Sequence, residues 1–372
     1  MPTRTVSNAG GNWDSVGTWV EGAVPTSADD VVFTATSGNV TVNVAGLTRG
    51  INFANYVGTM TFLANISIIG GGLNLGTGGY TLTGTGGSGF AFGASCSITS
   101  NGVLCQRGIS FGGTNQTYTL VDVFDVPSTF VSATTFTTIN GAELRTGNII
   151  HNTSAIVQGT SKIVFNKTAT WSHSSTGVIR NNLDINLVGT LTLSGTVRYD
   201  TRTLTYITGT VVATGSTLNI AASTTLNTSS VVWNTISTTT GVTLTLNSIL
   251  NASTFSQTGG NVVFAGSFGF NIGTLTIQAA RTLTLQNSVT YDVNTLITRN
   301  TGSISTITSN SGTLRATLHY NRYNVNTNIG NFSLTRINAR GGFRILTAQG
   351  MVHTNCMNVS KGEGDITQIL MN

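Results

Sequence analysis

Six short tetrads in the middle of the chain constrain its fold more than anything else: TLTL at Thr190, TLTY at Thr203, TLNI at Thr217, TLTL at Thr243, TLTI at Thr274 and TLTL at Thr282. Each alternates a polar residue with an apolar one, the period of a strand with one face buried. Successive starts differ by 13, 14, 26, 31 and 8 residues, which predicts a ragged repeat of about thirteen residues. A lone short strand cannot bury its apolar face until a neighbour stacks on it, so an array of this kind predicts a solenoid. The fold class expected is all-β, a right-handed parallel β-helix or β-solenoid with an N-terminal cap. Its inward rows would be Leu191, Leu193, Leu204, Tyr206, Leu218, Ile220, Leu244, Leu246, Leu275, Ile277, Leu283 and Leu285. The competing architecture is an antiparallel sandwich of similar strands.

Composition supports a folded β polymer rather than a linker. Of 372 residues 45 are Gly, only 3 are Pro and 8% are charged, whereas disordered segments are rich in charge or proline. Thr, Ser, Asn and Gly suit stacked strands and tight turns. The net charge of +5 comes mostly from scattered arginines. A nucleic-acid binder would gather them with aromatics on one face. Only the stretch from Arg315 to Arg344 is noticeably basic, so no nucleic-acid partner is expected, and the arginines are assigned to interface hydrogen bonds and ion pairs.

The most specific string, NWDSVGTWVEGAVPTSADDVVF, runs from Asn12 to Phe33. Trp13 and Trp19 are suited to cover the open end of a hydrophobic stack, Pro25 to fix a turn, and Asp29 with Asp30 to hold backbone N–H groups ahead of the strand Val31 to Phe33. Solenoids need such a cap because an uncovered last coil exposes both core and strand edges. The expected organisation is a cap over 1–39, a β-helical body over 40–350 with an irregular break near 113–140, and a C-terminal cap or subunit contact over 351–372. Pro127 argues for an edge or a bend within that break. No amphipathic helix is legible.

The string Asn12 to Phe33 resembles the motif W…W…G-x-x-P-x-x-x-D-D-V-V that opens many β-helical bacterial surface proteins and bacteriophage structural proteins. Trp171 followed by NNLDIN, GTLTLSGTVRY, LTYITGTV, SVTYDV and NARGGFRILTAQG resembles virion proteins of tailed phages. The resemblance implies a virion structural protein, such as a tail fibre, tailspike or head-surface subunit, exposed on the particle. It implies no catalytic motif. The expected partners are further copies of the chain, most simply as a homotrimer, other virion proteins, and a host-surface glycan as a further candidate.

The chemistry-bearing residues are sparse. A polysaccharide depolymerase on a β-helical scaffold, the alternative function, would need two carboxylates at a controlled separation. The candidates are Asp184, Asp200 and Asp292, with Asp122, Asp125 and Glu143 upstream, and Asp184 and Asp200 are spaced to fall on adjacent coils. Solvated loop carboxylates explain all six equally well, so no catalytic site is assigned. His151, His173, His319 and His353 have no close metal-ligand spacing, since His353 and Cys356 at i, i+3 would face opposite sides of a strand. No metal and no cofactor are expected. Three cysteines, Cys96, Cys105 and Cys356, are too few for a disulfide framework. Buried free thiols are expected, with a Cys96–Cys105 bridge as the alternative. The N-terminus has no apolar leader and no apolar run approaches a membrane span, which argues against export and membrane insertion, and so against a bacterial surface adhesin.

Overall fold

The computed structural model describes residues 1–299 except Ser88, Asn152 and Ser175, together with 304–320, 332–340 and 352–354. The string 341–350, the tail from 355 with Cys356, and the arginines at 322 and 344 lie outside the described residues. Almost every described element is a strand, and a single 3-10 turn at Val16–Thr18 is the only helical one among them. The strands stack in parallel, forming a β-solenoid. Contacts divide the chain into two compact units, Met1–Thr192 with Ile207–Thr210, and Leu193–Tyr206 with Val211–Asn372.

In the first unit each turn adds one parallel rung. Val31, in Asp30–Phe33, pairs with Ile51 in Gly46–Phe53; Ile51 pairs with Leu73 in Ile66–Asn74, and Leu73 with Ile98 in Cys96–Thr99. A second sheet of four strands carries Gly11–Asn12, Val40–Val42, Thr59–Phe62 and Thr81–Gly84. The longer strands turn a corner, and the burial alternation slips there. In Phe124–Val131 the buried positions are 124 and 126, then 129 and 131. The slip falls at Pro127, whose missing N–H suits a bend. The flanking strands Gln116–Leu120, Phe124–Val131 and Phe136–Gly141 pair in parallel with their neighbours.

In the second unit one sheet of eight strands runs from Thr196–Arg198 to Ile337–Arg340. Its register aligns Leu218, Ile236, Phe255, Leu275 and Leu296 as an inner row. All five are buried. One residue earlier on each rung stand Thr217, Thr235, Thr254, Thr274 and Thr295, a half-exposed threonine ladder.

The repeat is a turn of about twenty residues, not thirteen. Leu204 pairs with Leu226 and Leu226 with Leu246. The tetrads at Thr203, Thr243 and Thr282 belong to one face of the turn, while those at Thr217 and Thr274 belong to the other. Reading them as one series mixed two phases of a longer period. Eleven of the twelve residues expected inward are buried. Tyr206 is the exception, being only half-buried just after the start of Thr203–Val212.

Phenyl rings stack along the axis because parallel in-register strands sit about 4.8 Å apart, close to an aromatic stacking distance. Phe33 stacks on Phe53 at 4.7 Å and Phe53 on Tyr80 at 4.8 Å. In the second unit Phe270 instead meets Phe264 of its own turn edge to face at 4.9 Å and Tyr291 at a tilt at 4.7 Å.

At the N-terminal end, Trp13 and Trp19 are buried and meet edge to face at 5.0 Å. The Trp19 indole N–H donates to the Trp13 carbonyl at 3.0 Å, which satisfies the one polar atom of a ring otherwise fit for a core. Asp29 is 1% exposed. One of its oxygens accepts from the Thr26 N–H and hydroxyl, and the other faces Arg4 Nε at 3.2 Å, although that N–H is not aimed squarely at it. The Thr26 hydroxyl, ahead of the Arg4 charge, holds the Asp29 carboxyl below the usual carboxylate range. Asp30 instead pairs with Arg49 on the next rung.

Candidate functional site

Parallel register decides which chemistry-bearing side chains meet. In the first unit Leu144 pairs with Ile163, which puts Glu143 and Lys162 on neighbouring rungs. Glu143 accepts from Arg145 Nε at 2.5 Å, and Lys162 pairs with Asp184 at 3.0 Å. The Asp184 hydrogen bond and charge raise the Lys162 ammonium pKa. Asp125 is engaged by Lys167 and by Asn166 Nδ2 at 2.9 Å. Asp122 accepts from the N–H groups of Ser100 and Asn101, each at 2.7 Å. Every first-unit carboxylate singled out from the sequence is thus held by a cation, an amide or backbone N–H groups.

Asp200 lies in the second unit and Asp184 in the first; Asp200 is 1% exposed. Asp292 meets His319, its partner on the next rung of the eight-stranded sheet, with Oδ1 2.7 Å from Nδ1. The 27-residue separation hides this contact from any reading of local spacing.

His151 and His173 are also rung neighbours. Phe92, Phe111 and Val131 precede them in the same inner row. His151 is fully buried, and neither ring nitrogen makes a hydrogen bond. Burial pushes its imidazole down to about 4, the Ala155 backbone opposing weakly. His173 receives the Trp171 indole N–H on Nε2 at 2.9 Å, so its own proton sits on Nδ1, 2.8 Å from the Gly177 carbonyl. Both nitrogens of His173 are therefore committed, which leaves no lone pair for a metal without breaking this network. Among the described residues no group of three His, Cys, Asp or Glu side chains is placed to hold a metal ion. His353 pairs with Leu334 through the backbone. Cys96 and Cys105 are free thiols; Cys105 is buried as expected, whereas Cys96 is only partly so.

A trough that no sequence motif marks lies on the outer face of the first unit. It has a volume of about 330 Å³ and crosses successive rungs from Thr3 to Thr99. Register places Asp30, Gly50, Gly72 and Ser97 in one outward column and Val32, Asn52, Asn74 and Thr99 in the next. Two glycines on adjacent rungs remove the side chains that would otherwise fill the first column. They are required locally: Gly72 has φ +89, and a Cβ there would lie 2.2 Å from the Ser97 carbonyl oxygen. Beside the column the register shifts between Thr48 and Gly50 and the matching residues of the next rung. The legible signal was the run Gly70-Gly71-Gly72, which reads equally well as a turn.

Comparison of the chain with protein-family models, curated proteins and solved structures finds no match.

Proposed function

We propose that this protein is a structural subunit of a bacteriophage virion, a β-helical spike, fibre or surface decoration that contacts the host and performs no catalysis. The observation that carries this reading is the threonine ladder Thr217–Thr235–Thr254–Thr274–Thr295, a neutral outer stripe on a stiff parallel stack. Soluble β proteins guard exposed strands with charge, whereas this chain carries 8% charged residues. Such a surface suits lateral packing against identical copies, and closed symmetry is the usual result. The tryptophan cap and the phage-like strings of the sequence point the same way. The carboxylates that a depolymerase would need are engaged in ion pairs and turns wherever their partners are described, which favours the structural reading over the enzymatic one.

The test is to label the subunit on purified particles, image them, and sediment the free protein at micromolar concentration. Labelled particles and a trimer are expected. Unlabelled particles overturn the virion role, and a monomer at all concentrations overturns the trimer. Release of reducing ends from host capsular or lipopolysaccharide glycans would instead establish the depolymerase.

A further inference from the structure

We propose that the trough on the first unit is a binding site for a neutral, hydroxyl-rich saccharide. This deepens the host-contact reading above by naming the ligand class and the residues.

The donor and acceptor set selects the ligand. Asp30 gives one carboxylate oxygen to Arg49; the other rests over Gly50 and Gly71, where a Cβ would lie 3.0 and 2.8 Å from it, and makes no hydrogen bond within the described protein. Asn52, one rung away, lines the trough with both ends of its amide unused. Asn74 Oδ1 accepts from the Gly76 N–H at 2.9 Å and from Asn101 Nδ2 at 2.7 Å, leaving its NH₂ to donate. Thr3, Ser97 and Thr99 add hydroxyls along the same walls.

A fixed acceptor beside amide donors and hydroxyls matches a ligand whose neighbouring groups both donate and accept, which is the property of sugar hydroxyls. Other classes fit worse. An anionic ligand group would bring no proton for the unused Asp30 oxygen to accept, and a cation would find that charge already neutralised by Arg49. An apolar ligand would leave the Asp30 and Asn52 polar atoms dry and unpaired. The volume is at the small end of small-molecule sites, so a short segment of a chain is held rather than a folded partner. The bare glycine column lets that segment approach the backbone closely.

The test uses the full chain and a panel of neutral oligosaccharides, glucose-, galactose-, mannose- and rhamnose-based, beside sialylated and sulfated ones, read by calorimetry. The expected result is saturable binding of at least one neutral member, weakened roughly tenfold or more by Asn52→Ala and by Asp30→Asn, in line with the loss of one or two hydrogen bonds. Asn52→Ala is outward-facing and should melt with the parent, which separates lost binding from lost folding. The proposal is overturned if no neutral member binds at millimolar concentration. It is also overturned if only acidic members bind, or if binding is indifferent to both substitutions. Labelled particles without saccharide binding sink this site and leave the virion role standing; binding without labelled particles does the reverse.

Discussion

The His151 ring packs against the His173 ring at 4.9 Å, edge to face, in a row otherwise built from Phe92, Phe111 and Val131. An imidazole with no hydrogen bond inside such a row stays neutral because charging it would place an unpaired cation in the core. Its folded pKa of about 4 lies below the ordinary 6.5, so between these values the unfolded chain binds more protons. Stability from this group is complete above about pH 6.5 and falls as pH drops towards 4, by about 3 kcal/mol in all. Urea titrations at pH 7.5, 5.5 and 4.5 should show the decline in the parent and a flatter profile in His151→Leu. Parallel profiles would show that His151 is not a buried neutral group.

Leu204→Asp and Leu244→Asp should each cost several kcal/mol, since both side chains are fully buried in the stack and an unpaired carboxylate has no counter-charge there. Thr225→Asp, at a half-exposed position on the rung beside Thr203, should shift stability by no more than about 0.5 kcal/mol. Thermal melts of all three decide it. Equal melting would mean that the leucines do not face the core.

Gly76→Ala tests a close backbone approach. Gly76 has φ +61, and a Cβ there would lie 1.8 Å from the Phe53 carbonyl oxygen. The substitution brings steric overlap as well as left-handed strain, so the expected loss exceeds about 1 kcal/mol. Because Phe53 sits between Phe33 and Tyr80 in the aromatic stack, near-ultraviolet dichroism should change along with the melting temperature.

Thiol accessibility checks the cysteines. Burial pushes the Cys105 and Cys96 thiols up to about 12, so at pH 8 neither supplies appreciable thiolate. In a Cys356→Ser background the native protein should react with none of a thiol-disulfide reagent over minutes, and the denatured protein with two equivalents. Fast native reaction would show that the rungs at 96 and 105 open readily. No reactive equivalent after denaturation would show a Cys96–Cys105 bridge.

Alternation alone identified the strands and eleven of the twelve inward residues from Leu191 to Leu285, because a period of two is a property of each strand in isolation. Trp13 and Trp19 were likewise legible as buried rings, being large and apolar beside a turn-forming string. The length of a turn was not legible. It depends on where the chain bends, and although Pro127 marks one corner, the others are set by how neighbouring rungs pack. Tyr206 shows the same limit, since its alternation places it inward but it is only half-buried in the folded strand. Register lies still further from sequence. His151 meets His173 across 22 residues and Asp292 meets His319 across 27, because insertions at the corners change each turn's length while the hydrogen-bond ladder holds the strands in step. The trough exists for the same reason. Gly72 reads as part of a glycine turn and Gly50 carries no signal of its own, and only parallel stacking sets them side by side between Asp30 and Ser97.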